Sequence, residues 1–172
     1  MKHIDQQFIR RTYVLAQQAA KRGLDPFAAI LVTKDQEVAH SIDYCLLHAD
    51  PTAHAELHLI SRFCRQEQII SLEGYTLYCN VEPCIMCSGA IHWARISRVV
   101  YGISQQALKT VSKGQPKPDC RSLINSGGSE VEIVGPVLEE EGLIAFRSVP
   151  FRSKKERFAA MRKPPNDDQS TS

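Results

Sequence analysis

Two short blocks carry the residue types that could do chemistry: His54-Ala55-Glu56 and, 26 residues further on, Pro83-Cys84-Ile85-Met86-Cys87. One histidine and two cysteines are the ligand types that hold zinc tetrahedrally, and three such ligands leave the fourth position open to water, as in a catalytic site. Zinc lowers the pKa of bound water toward neutrality, so a nucleophile is available at physiological pH. Glu56, two residues from His54, is a carboxylate outside the ligand set. It can take a proton from water, pass it to a ring nitrogen of a cyclic amidine, and later protonate departing ammonia. The product is a lactam. Either block alone has a bland reading: a lone histidine is usually a core or surface residue, and a lone CxxC could be a redox pair or half a zinc ribbon.

The elements that must position these residues are legible around them. Asp50-Pro51 reads as an N-cap and first helical residue, opening a helix with Leu57, Ile60, Phe63 and Cys64 at helical spacing, so that His54 and Glu56 lie in its first turns. Pro83 opens a second helix, placing Cys84 and Cys87 on one face near its positive end, which favours thiolates. The strand Thr76 to Val81 feeds Pro83, and Arg98 to Gly102 is expected to run parallel to it through a helical crossover. The site then sits beyond the carboxyl end of a strand.

The blocks "DPTAHAE" and "EPCIMC" resemble the cytidine/deoxycytidylate deaminase superfamily, with its H-x-E…P-C-x-x-C signature. "PFAA" at Pro26 to Ala29 and "GAIHWARISRVVYG" at Gly89 to Gly102 are similar to its guanine deaminase and tRNA adenosine deaminase branch, and Trp93 before Ala-Arg is more like the guanine enzymes. The resemblance implies zinc bound by His54, Cys84 and Cys87, one ion per subunit, with Glu56 as proton carrier. It also implies substrate contacts from Phe27, from the backbone amide of Ala55 and from the residue eleven before the ligand histidine, and a homodimer with the helix around Ile91 to Ala94 as a candidate interface. Trp93 is a further candidate substrate contact; the bland alternatives are core packing for Phe27, and helix packing or a subunit contact for Trp93. His48 and His92 default to surface or packing roles, and Glu82 to a structural one. At the eleventh position the superfamily commonly has asparagine; this chain has Asp43. An ionised aspartate only accepts hydrogen bonds, so it favours substrates presenting N–H groups or a positive charge, unless it is a turn residue facing water.

The 172 residues, 43% hydrophobic, suffice for one domain with a real core, assigned to 1–150, followed by a basic segment at 151–163 and a polar, disordered tail at 164–172. The net charge is +2, but seven Lys/Arg against one Glu lie between Arg147 and Lys163, so the rest of the chain carries −4. Six unevenly spaced cysteines do not suit a disulfide framework, the start lacks the apolar core of a signal peptide, and no stretch could span a bilayer. A cytoplasmic protein with no membrane association is expected.

In chain order the pattern gives a helix at Gln6 to Arg22, a hairpin of Ala28 to Thr33 with Glu37 to Ile42, the two ligand helices and their strands, a short helix at Asp119 to Ser126, a strand at Glu130 to Val134 and helices at Leu138 to Arg147 and Lys154 to Arg162. This is an α/β order, and the fold expected is a three-layer α/β/α sandwich around a mixed five-stranded sheet. The function expected is zinc-dependent deamination of a small amino-N-heterocycle: a guanine-like purine, a pterin or a triazine. One alternative is tRNA-specific adenosine deamination using the basic C-terminal segment for phosphate contacts. Another is a zinc-binding scaffold without turnover, in which Glu56 would have no purpose.

Overall fold

The computed structural model describes residues 3–112, 118–128 and 130–147, together with Glu156 and Ala159. Helix α1 (His3–Lys21) is followed by β1 (Ala28–Thr33), β2 (Gln36–Ile42), α2 (Cys45–His48), α3 (Ala55–Glu67), β3 (Thr76–Val81), α4 (Ile85–Trp93), β4 (Arg98–Ile103), α5 (Gln105–Leu108), α6 (Cys120–Ile124), β5 (Glu132–Val134) and α7 (Glu139–Arg147). The strand order is β2-β1-β3-β4-β5; β1 runs antiparallel to both neighbours, while β3, β4 and β5 are parallel. The sheet is therefore mixed and five-stranded, as the pattern indicated.

Alternation along each strand divides the core between the two faces of the sheet. On β1, Ala29 and Leu31 pack with Leu59, Ile60 and Phe63 of α3 and Ile91 of α4. The intervening Ala28, Ile30 and Val32 pack with Ile9, Tyr13 and Ala16 of α1 and Leu143 and Phe146 of α7. Burial on both faces explains why β1 reads as a continuous apolar run. The hairpin turns through Lys34 and Asp35, both with positive φ (48° and 57°), as a two-residue turn of the primed type requires.

The starts of both ligand helices differ from the sequence reading. Helix α3 starts at Ala55, not Asp50, because the Asp50 carboxylate accepts hydrogen bonds from the Thr52 N–H (2.8 Å) and hydroxyl (2.7 Å) and closes a turn that competes with the helix. Its buried stripe is Ala55, Glu56, Leu59, Ile60 and Phe63, with Leu57 only half-buried. Helix α4 starts at Ile85, with Cys84 as its N-cap and Pro83 before that. The one-turn helices α2 and α5 were not anticipated; four residues are too few to show a period. The basic helix expected at Lys154 to Arg162 and the polar tail lie outside the described residues, apart from Glu156 and Ala159.

Gly142, which weakens α7 on propensity alone, has a steric reason. A Cβ there or at Gly102 would collide with the Tyr13 phenol, which is wedged between them and donates to the Leu138 carbonyl at 3.1 Å. At the far end of the sheet from the ligand helices, fully buried Asp5 accepts two hydrogen bonds from Arg98 (2.8 and 3.0 Å) and one from the Tyr78 hydroxyl (2.9 Å). This network ties the start of α1 to β3 and β4. Replacing Asp5 by alanine leaves a guanidinium without its main partner and should cost about 3 kcal/mol in urea unfolding, the low end for a broken buried pair because Arg98 keeps Glu132 nearby. A loss below about 1 kcal/mol would place the pair among ordinary surface ion pairs.

Candidate zinc and active site

The chain reaches the site twice in extended conformation, and each time a ligand residue is the point where it turns into a helix: His54 is the N-cap of α3 and Cys84 the N-cap of α4. Cys87 follows one turn into α4 and is fully buried. His54 Nδ1 lies 3.5 Å from Cys84 Sγ and 3.7 Å from Cys87 Sγ, and the two sulfurs are 3.5 Å apart. A tetrahedral zinc with Zn–N about 2.0–2.1 Å and Zn–S about 2.3 Å needs ligand-to-ligand edges of about 3.5–3.8 Å. The donor set and its spacing fit zinc.

The electrostatics favour an anionic thiol pair. Both helix N-termini bring unpaired N–H groups and the positive end of a dipole to this point. The contact with Cys87 holds the Cys84 thiol far below its ordinary range, opposed by burial and helped by His54, while the same contact and burial push Cys87 up. Burial works against a charge on His54, but the bond to Cys84 and the charge of Glu56 outweigh it and raise its pKa.

Glu56, 9% exposed, accepts a hydrogen bond from Cys87 Sγ at 3.4 Å. Burial pushes its carboxyl up to about 7, with the Cys84 charge adding and His54 opposing. A cation bound beside it would favour the charged form. A carboxyl that exchanges its proton around neutrality is what a proton carrier needs.

Asp43 directly follows β2 and is 2% exposed, which removes the reading of a turn residue facing water. Its oxygens accept from the Cys45 N–H (3.0 Å) and thiol (3.6 Å), and its carboxylate, the Cys45 sulfur and a His54 ring nitrogen all lie within 4.8 Å of one another. The Asp43 N–H donates to the Phe27 carbonyl at 3.0 Å, so the two residues are joined through the backbone. The Phe27 ring is half-buried and packs against both cores.

The model of the cytidine and deoxycytidylate deaminase zinc-binding region matches residues 2–103, which include both ligand blocks and Glu56. The chain belongs to this deaminase family. It is 33% identical over 148 residues to a probable cytosine deaminase of Schizosaccharomyces pombe, covering 83% of this chain and 90% of the relative. To a guanine deaminase of Bacillus subtilis it is 37% identical over 95 residues, 55% of this chain and 61% of that one. A solved chain from work on A-to-I editing by tRNA:A34 deaminases superposes with a TM-score of 0.68 at 28% identity, covering 81% of this deaminase and 98% of that chain.

Not every residue singled out in the sequence joins the cluster. Trp93 closes the last turn of α4, 81% exposed, its ring edge-on to His92 at 5.8 Å. This corrects its assignment as a substrate contact within one chain: six residues beyond Cys87 the helix presents a different side, further along its axis. His92 holds the Ile124 carbonyl (3.0 Å) and His48 stacks on Tyr44 (4.9 Å), the packing roles expected of them. Ala55 is the first residue of α3, so its N–H is among those a helix leaves without an intrahelical acceptor.

Two supporting residues were missed or only half read. Asn80 accepts from the Ala28 N–H (2.8 Å) and donates to the Pro26 carbonyl (2.9 Å), clamping the backbone on both sides of Phe27. A lone amide in the apolar strand TLYCNV was the available signal. Glu82, read as structural, accepts from the backbone N–H of Gln105 (2.8 Å) and of Cys120 (2.9 Å), fixing the starts of α5 and α6 beside the second ligand loop.

The purified deaminase should carry about one zinc per chain by elemental analysis. His54→Ala and Cys87→Ser should each hold at least about tenfold less under the same dialysis, whereas Glu56→Gln should keep the full complement. Equal zinc in all four proteins would show that the metal sits elsewhere.

Proposed function

We propose that this deaminase hydrolyses the exocyclic C–N bond of a small, purine-like amino-heterocycle, such as guanine, a pterin or an aminotriazine. Water adds its oxygen to the amidine carbon, the amino group leaves as ammonia, and a lactam remains. The reading rests on Glu56, a buried carboxyl that is not one of the three ligands yet lies against them, within hydrogen-bond reach of Cys87. Zinc, when held by His54, Cys84 and Cys87, supplies a Lewis acid that makes water nucleophilic at neutral pH. Glu56 takes one proton from water and delivers it to the ring nitrogen, then takes the second from the added hydroxyl and gives it to the departing amine, so that the C–N bond breaks as the carbonyl forms. The Ala55 N–H is offered to a ring carbonyl, and Phe27 to the flat face of the base.

Asp43 narrows the substrate. Its carboxylate accepts hydrogen bonds only, and the contacts from Cys45 fix its direction, so it suits a ring edge carrying N–H groups or a positive charge. The relatives from Schizosaccharomyces pombe and Bacillus subtilis, a probable cytosine deaminase and a guanine deaminase, support a free base. The likeness to a tRNA:A34 deaminase favours a second reading, deamination of adenosine in tRNA. A scaffold without turnover leaves the buried Glu56 carboxyl without a role.

We propose further that the protein is a cytoplasmic homodimer with one zinc per subunit, formed by a single domain over 1–150. Six unevenly spaced cysteines, two of them candidate zinc ligands, suit a reducing compartment better than a disulfide framework. Helix α4 supports the dimer: Ile85 (56% exposed), Gly89 and Trp93 (81% exposed) succeed one another at four-residue spacing, an apolar stripe facing outward. Light scattering should give twice the chain mass for the wild type and the chain mass for Trp93→Asp. The wild-type mass at one chain would end the proposal.

Ammonia release across guanine, adenine, cytosine, their nucleosides, pterins, aminotriazines and tRNA tests the substrate. Turnover of a free base should fall at least about 10²-fold in Glu56→Gln. Asp43→Asn should shift preference among the bases without abolishing zinc; identical rates and preferences would remove Asp43 from substrate recognition. Activity confined to tRNA would select the second reading.

A further inference from the structure

A groove of about 540 Å³ runs along the free edge of β2, away from the ligand cluster. Helix α1 and the turn that follows it form one wall through Gln18 and Arg22, α3 the other through His58, Arg62 and Glu67, and β2 from Val38 to Ile42 forms the floor. Tyr44 closes the end next to Asp43.

The groove is cationic in a chain whose remainder, outside the C-terminal segment, is net acidic. Neither Arg22 nor Arg62 is paired with a carboxylate among the described residues. The Arg62 Nη2 donates to the His40 carbonyl at 2.8 Å, which fixes the guanidinium over the strand edge. His58, bonded through Nδ1 to the Ser41 hydroxyl at 2.9 Å, adds an imidazole to the same wall. Glu67 is the single acid of the lining. Both arginines line the groove, and Arg is the side chain best suited to phosphate oxygens. The volume lies in the range of small-ligand pockets, about 300–1,000 Å³, and is far more than a bare phosphate fills.

We infer that the β2-edge groove binds a small phosphorylated ligand of nucleoside monophosphate size, with Arg22 and Arg62 as its phosphate contacts. The site is separate from the reaction centre and abuts it through α3, where His58 follows His54 by one turn.

Uridine 5′-monophosphate, which has no exocyclic amino group to lose, is the probe, titrated calorimetrically into the zinc-loaded full chain. Binding should weaken at least tenfold in Arg22→Gln/Arg62→Gln and remain as in wild type in Glu56→Gln. Arg22→Gln alone changes an exposed side chain and decides the matter with a smaller loss if the double variant fails to fold. Three results would overturn the inference: no binding, binding indifferent to both arginines, or displacement of the nucleotide by a free base that the enzyme deaminates. Much tighter binding of a short single-stranded RNA through the same arginines would also overturn it, making the groove a polynucleotide track.

Discussion

Three ligand atoms from two distant parts of the chain must come within 3.7 Å of one another, and the architecture follows from meeting that constraint. Each ligand segment arrives extended and turns into a helix at the ligand itself, so two helix starts face each other. Two positive dipole ends brought together would repel; anionic sulfur between them converts that repulsion into attraction. The parallel pair β3 and β4 holds α4 in the crossover between them, and α3 packs beside α4 on the same face of the sheet.

The chemical half of the site was legible because its residue types have few other uses in that combination and spacing. His54, Glu56, Cys84 and Cys87 could be picked out of the sequence, and the structure gathers them at one point. The sheet was legible from alternation in β2, from the apolar runs of β1, β3 and β4, and from the parallel crossover that α4 demands. Where the reading slipped, a local side-chain bond had intervened: Asp50 takes the Thr52 N–H into a turn and postpones α3 to Ala55. Helices of a single turn, α2 and α5, leave no periodic trace.

The recognition half was legible only in part, because it is made by residues that act through others. Asp43 stands out as a departure from a familiar pattern, yet nothing in the sequence says that Cys45 would hold its carboxylate through both a backbone and a thiol donor. Phe27 owes its place to Asn80, which is 53 residues away and bonds only to backbone. Trp93 stands out through the likeness of its segment to guanine deaminases, but its turn of the helix points out to solvent. Types and spacing reveal first contacts; the groups that aim them depend on tertiary packing.

Glu82 belongs to the second kind and has a consequence for how such a fold can diversify. One carboxylate receives the backbone of Gln105 with one oxygen and that of Cys120 with the other, so both ends of the intervening excursion are pinned at one point beside Pro83. Closing a longer loop between two fixed ends costs little extra, because the entropy grows only with the logarithm of length. The excursion can therefore lengthen, shorten or change composition over evolutionary time while the ligand loop stays in place. Variation in that insert is a route by which descendants of one catalytic core could acquire new partners without rebuilding the core.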